Sequence, residues 1–112
     1  MSDLTVTRND ELSRYELHDG EAGVVAGYAE FEQGTGRIRF THTVVEREFR
    51  GRGYGEMLAS DALADVARRG DTIIPLCPFI AKYLKENEVS GAVVQWPDGT
   101  PHDAATPGEQ PG

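Results

Sequence analysis

The sequence predicts a single α/β (α+β) domain in which a mixed, mostly antiparallel sheet carries two helices. Three observations lead there. Four strand-like segments follow one another through tight turns, which favours an antiparallel meander. The hydrophobic period then changes from that of a strand to that of a helix between residues 53 and 69. A short apolar run, a segment headed by proline and a second short apolar run complete the order as strand, helix and strand.

Each element has its own signal. "LTVTRND" alternates and gives a strand from Leu4 to Arg8. "SRYELHDGE" gives a second, with Tyr15 and Leu17 on one face and a turn at Asp19-Gly20. "AGVVAGYAEFEQGTG" gives a third from Val24 to Glu32, and the glycines at 34 and 36 close a hairpin. "RIRFTHTVVE" is the fourth, and strict alternation places Ile38, Phe40, His42 and Val44 on one face. From Gly53 to Arg69, Leu58, Ala59, Ala62, Leu63, Val66 and Ala67 recur at helical spacing, with Gly70 as the stop. "DTIIPLC" is a buried-looking strand. "PFIAKYLKENE" opens with proline, which a first helical turn tolerates, and pairs Ile80 with Leu84 and Phe79 with Tyr83. "AVVQW" is a last short strand.

At 112 residues one domain is expected, and residues 1–96 carry it. The stretch from Pro97 to Gly112 is rich in Pro and Gly with almost no large apolar side chains, and reads as a flexible tail. The formal charge of −8 argues against nucleic-acid and anionic-membrane partners, which need a basic face. A lone cysteine forms no internal disulfide. With no signal-peptide core and no apolar run of spanning length, a cytoplasmic protein is expected.

Within this acidic chain, "EREFRGRGYGE" gathers arginine and glycine between the fourth strand and the long helix. Amides in a first helical turn are unpaired, and the helix dipole draws anions to them. Glycine admits a phosphate to the backbone, and arginine adds forked donors. The stretch from Arg50 through Gly51, Arg52, Gly53 and Tyr54 to Gly55 therefore reads as a phosphate cradle. It fits neither the P-loop nor the dinucleotide fingerprint. Its R-x-x-G-x-G spacing, after a strand and opening a helix, resembles the acetyl-CoA site of the GNAT superfamily of N-acetyltransferases. The resemblance implies that CoA pyrophosphate sits on the cradle. It also implies that the end of the fourth strand, Thr43, Val44 and Val45, hydrogen-bonds the pantetheine arm.

"IIPLCPFIAKYL" sharpens the likeness. The chain from roughly Arg14 to Glu86, with its P-L-C-P-F turn, is similar to a subgroup of very small GNAT-like proteins that lack the helical insertion after the first strand. Cys77 precedes a helix start, where a thiol loses its proton more readily, although an inert buried cysteine is the common alternative. The resemblance implies that Cys77 accepts the acyl group, with His42 beside it as a proton acceptor. Tyr83 is a third catalytic candidate, as the group that returns a proton to the departing thiolate. It shares no helical stripe with Cys77 and equally suits a packing role. Glu30 and Glu32 read as a solvated face, with a base as the alternative. His18 lies near a turn and His102 in the tail. No metal-ligand spacing appears.

The expected function is acetyl transfer from acetyl-CoA, as cosubstrate, to an amine, directly or through an acyl-cysteine. A non-catalytic CoA-binding module is the alternative. The acceptor is expected to be a small-molecule amine, a polyamine or a peptide, since an acidic surface attracts cations.

Overall fold

The structure, a computed structural model, describes residues 4–20 and 23–97. Beyond Pro97, the expected tail lies outside the described residues, as does His102. Six strands form one sheet in sequence order: β1 (Leu4–Asn9), β2 (Arg14–Asp19), β3 (Val24–Gly34), β4 (Arg37–Val45), β5 (Thr72–Pro75) and β6 (Val93–Val94). β1 to β4 run antiparallel, whereas β4–β5 and β5–β6 are parallel. The parallel crossovers carry α1 (Tyr54–Arg69) and α2 (Pro78–Glu86). The sheet is thus mixed and mostly antiparallel, with two helices, as the sequence predicts. A 3₁₀ turn over Arg47–Phe49 was not foreseen. Among the described residues no helix is long and apolar enough to cross a membrane.

The core lies between one face of the sheet and α1. Leu58, Ala59, Ala62, Leu63 and Val66 of α1 are fully buried, in register with the sequence's helical stripe. They meet Tyr15, Leu17, Ala29, Phe31, Ile38 and Phe40 from the strands. Side chains paired directly across two strands share a face. Tyr15 pairs with Ala29 and Ala29 with Thr43, so these three point to the helices.

One expectation about β4 is overturned. The register with β3 jumps from Glu30↔His42 to Phe31↔Phe40, leaving Thr41 as an extra residue. Such a bulge shifts the alternation by one. Ile38 and Phe40 remain on the core face, but His42 and Val44 turn to the opposite face, and Thr43 and Val45 take the inward positions. Burial agrees: Phe40 is 0% exposed, whereas the His42 side chain is 72% exposed.

At the far end of the sheet a polar group closes the core. The Tyr15 hydroxyl donates to Asp65 of α1 at 2.6 Å, and Arg69 Nε donates to the same carboxylate oxygen at 2.7 Å. Burial and the bond to Asp65 push the Tyr15 phenol from 10.0 up to about 12. A folded pKa above the unfolded one means stability present in full below about pH 10 and lost progressively towards about pH 12. An alkaline absorbance titration should show a tyrosine phase near pH 12 that Tyr15→Phe removes. A late phase that is absent, or that survives Tyr15→Phe, would overturn this account.

Candidate functional site

The site begins where β4 and β5 separate. Their parallel pairing ends at Phe40↔Pro75, and the Phe40 carbonyl accepts from both the Leu76 and the Cys77 amides, at 3.0 and 2.8 Å. β4 runs on to Val45 while β5 stops at Pro75. From Thr41 to Val45, β4 therefore has β3 on one side and, among the described residues, no strand on the other. An open strand edge offers backbone donors and acceptors to an extended ligand.

Three contacts gather the other parts around that edge. Arg50 Nε donates to the Val45 carbonyl at 3.1 Å, folding the arginine turn back on the end of β4. The Cβ that Gly55 lacks would lie 2.9 Å from Cζ of Phe79, so the starts of α1 and α2 abut. Thr43 Oγ1 and Cys77 Sγ lie 3.3 Å apart and share a hydrogen bond.

The turn has the backbone a cradle needs. Gly51 and Gly53 have φ of 81° and 78°, in the left-handed region that glycine occupies without penalty. Gly53 is the N-cap of α1 and has no side chain to cap the helix. The amides of the first turn thus lack intrahelical acceptors and are left for a ligand. Arg52 stacks its guanidinium over Phe49 at 5.4 Å. Phe49 in turn lies against Tyr54, with ring centroids 5.6 Å apart. The Tyr54 side chain is buried and its hydroxyl donates to Asp19 at 3.1 Å. Its contribution at the turn is therefore the backbone amide.

Cys77 is the N-cap of α2 and is 4% exposed, within the core cluster. Its side-chain partner is Thr43, not His42. His42 occupies the opposite face of the sheet, with Nδ1 3.4 Å from Oε1 of Glu30, its cross-strand neighbour. The two candidates thus flank the strand edge from different faces. Tyr83 packs partly buried against the core and lines a small hollow with Glu56, Phe79, Lys82, Glu86 and Asn87; Cys77 is not part of that lining. Glu32 is exposed. His18 bonds Thr7 at 3.0 Å and approaches Glu16 at 3.3 Å, an arrangement that fixes β1 to β2. Among the described residues no cluster of His, Cys, Asp and Glu suits a metal.

Sequence reasoning missed two residues. The resemblance gives Thr43 only a backbone role, and strict alternation along β4 hides that its side chain faces Cys77. Sequence reasoning left Glu30 among solvated residues, because the pairing with His42 depends on the bulged register.

The model of the GCN5-related N-acetyl-transferase family matches residues 14–93. The chain belongs to that family. No curated protein matches it. Membership of the N-acetyl-transferase family makes acetyl transfer the general chemistry of this fold, and acetyl-CoA the general donor of such domains. The matched span takes in β2 to β5 and reaches the start of β6, and with them the turn, the strand edge, His42 and Cys77.

Proposed function

We propose that the protein transfers an acetyl group from acetyl-CoA to an amine. The observation that carries this reading is the continuous path from the uncapped start of α1, along the open edge of β4, to Cys77 and His42. The pyrophosphate rests on the amides from Gly53 to Gly55, with Arg50 and Arg52 beside it. The pantetheine arm pairs with Thr43 to Val45 and brings the thioester to the gap between β4 and the start of α2.

The exposed face is where the amine arrives. His42 takes a proton from the amine nitrogen as that nitrogen attacks the thioester carbonyl. The C–N bond forms, the C–S bond breaks, and the sulfur leaves as a thiolate that gains a proton from the imidazolium or from water. Burial of Cys77 and its bond to Thr43, with His42 on the other face, favour this direct route over an acyl-cysteine. The net charge of −8 favours a cationic acceptor such as a polyamine or a lysine-bearing peptide.

A panel of amines, with products detected by mass, tests the reading. His42→Ala should lower kcat by about 10²-fold or more while calorimetry shows CoA affinity unchanged. Unchanged turnover would remove His42 from the chemistry. CoA binding with no turnover of any amine would leave a CoA-binding module. Acetyl-CoA alone should leave Cys77 unmodified; a mass gain of one acetyl group, absent in Cys77→Ala, would establish the covalent route instead.

A further inference from the structure

An imidazole as exposed as that of His42 rotates freely and exchanges its proton between two nitrogens unless a neighbour fixes it. Glu30 is such a neighbour, and three features of the sheet hold it in place. The bulge at Thr41 brings His42 directly opposite Glu30 rather than one residue away. The Thr41 hydroxyl donates to the Glu30 carbonyl at 3.3 Å, which fastens the extra residue. On the other side of Glu30, its partner in β2 is Arg14, the nearest strong competitor for the carboxylate. Arg14 is committed elsewhere: its Nε donates to Glu16 at 2.9 Å and its guanidinium lies over the Tyr28 ring at 4.3 Å. Further along, Arg39 stands opposite Glu32. Among the described residues, the ion partner within reach of the Glu30 carboxylate is His42.

We propose that Glu30 is a positioning residue for His42. Its carboxylate accepts a hydrogen bond from Nδ1–H, which fixes the ring and leaves Nε2 as the nitrogen free to take the proton of the amine. A carboxylate on the far nitrogen also stabilises the imidazolium that forms when the proton arrives. The proton moves from the amine to Nε2 and leaves again with the thiolate or to water, so Glu30 stays ionised throughout. The 3.4 Å contact is long for a hydrogen bond, and such contacts tighten when a bound substrate displaces water. This inference rests on His42 acting as the base.

The test reads the tautomer and the rate separately. Long-range ¹H–¹⁵N spectra of labelled protein, at a pH where His42 is neutral, should show the Nδ1–H form dominant in the wild type. Glu30→Ala should return the ring to the Nε2–H form that free histidine prefers. The same variant should lose roughly tenfold or more in kcat, with KM for acetyl-CoA unchanged. Glu30→Gln, whose amide oxygen accepts the same bond, should keep the Nδ1–H tautomer and recover part of the lost rate. An identical tautomer in wild type and Glu30→Ala would overturn the proposal, as would an unchanged kcat. Loss of turnover in His42→Ala with full turnover in Glu30→Ala would overturn the role of Glu30 alone. Full turnover in His42→Ala would remove both.

Discussion

Gly53→Val is expected to abolish CoA binding, raising Kd by about 100-fold or more in calorimetry, which corresponds to about 2.7 kcal/mol. Two effects act together. Valine at a φ of 78° pays about 1–2 kcal/mol for the left-handed conformation, and the chain relieves that strain by rotating the peptide that opens α1. The rotation turns first-turn amides away from the phosphates, and the branched side chain stands in the space a pyrophosphate needs. The positive φ also costs stability, since each kcal/mol lowers the melting temperature by about 4–8 °C in a domain of this size. Circular dichroism should still report a folded protein. Normal CoA affinity in the folded variant would mean that the cradle lies elsewhere.

Phe40→Ala should cause the largest loss of stability. The ring is 0% exposed, with centroids 6.2 Å from Tyr15 and 6.3 Å from Phe31. Truncating a buried phenylalanine costs about 3–5 kcal/mol, a large share of the 5–15 kcal/mol that holds a typical domain folded. Thermal melting should fall by about 15–30 °C. A fall below about 5 °C would show that the surrounding rings collapse into the space, and that the core does not depend on this aromatic group.

The sequence made the elements legible wherever one residue or one period decides the outcome. The alternation of β1 and the helical stripe from Leu58 to Val66 each rest on a single element burying a single face. The glycines at 51 and 53 announced themselves because only they occupy such φ values readily. What stayed hidden is joint. The bulge at Thr41 is a property of β3 and β4 together, and neither segment spells it out. Every side-chain orientation on β4 after Phe40 depends on it, and it sets Thr43 beside Cys77 where the resemblance implies His42. Tyr54 stays in the cradle through its amide, but nothing local shows that Asp19, far back in the chain, claims its hydroxyl. The 3₁₀ turn from Arg47 to Phe49 has no periodic signal to betray it.

The meeting of Gly55 with Phe79 makes two distant positions mutually dependent. A methyl group at residue 55 would arrive 2.9 Å from the tip of the Phe79 ring, so alanine there requires that ring to shift. The permission to change residue 55 is therefore held by residue 79. In a background with leucine at 79 the same alanine meets a smaller, more compliant neighbour, and the two substitutions together should be milder than the sum of each alone. The order of change then matters. A history in which 79 shrinks first avoids the close contact, whereas one in which 55 grows first must move the ring. The glycine in the turn and the aromatic residue in the P-L-C-P-F segment would be expected to vary as a pair across descendants of this chain.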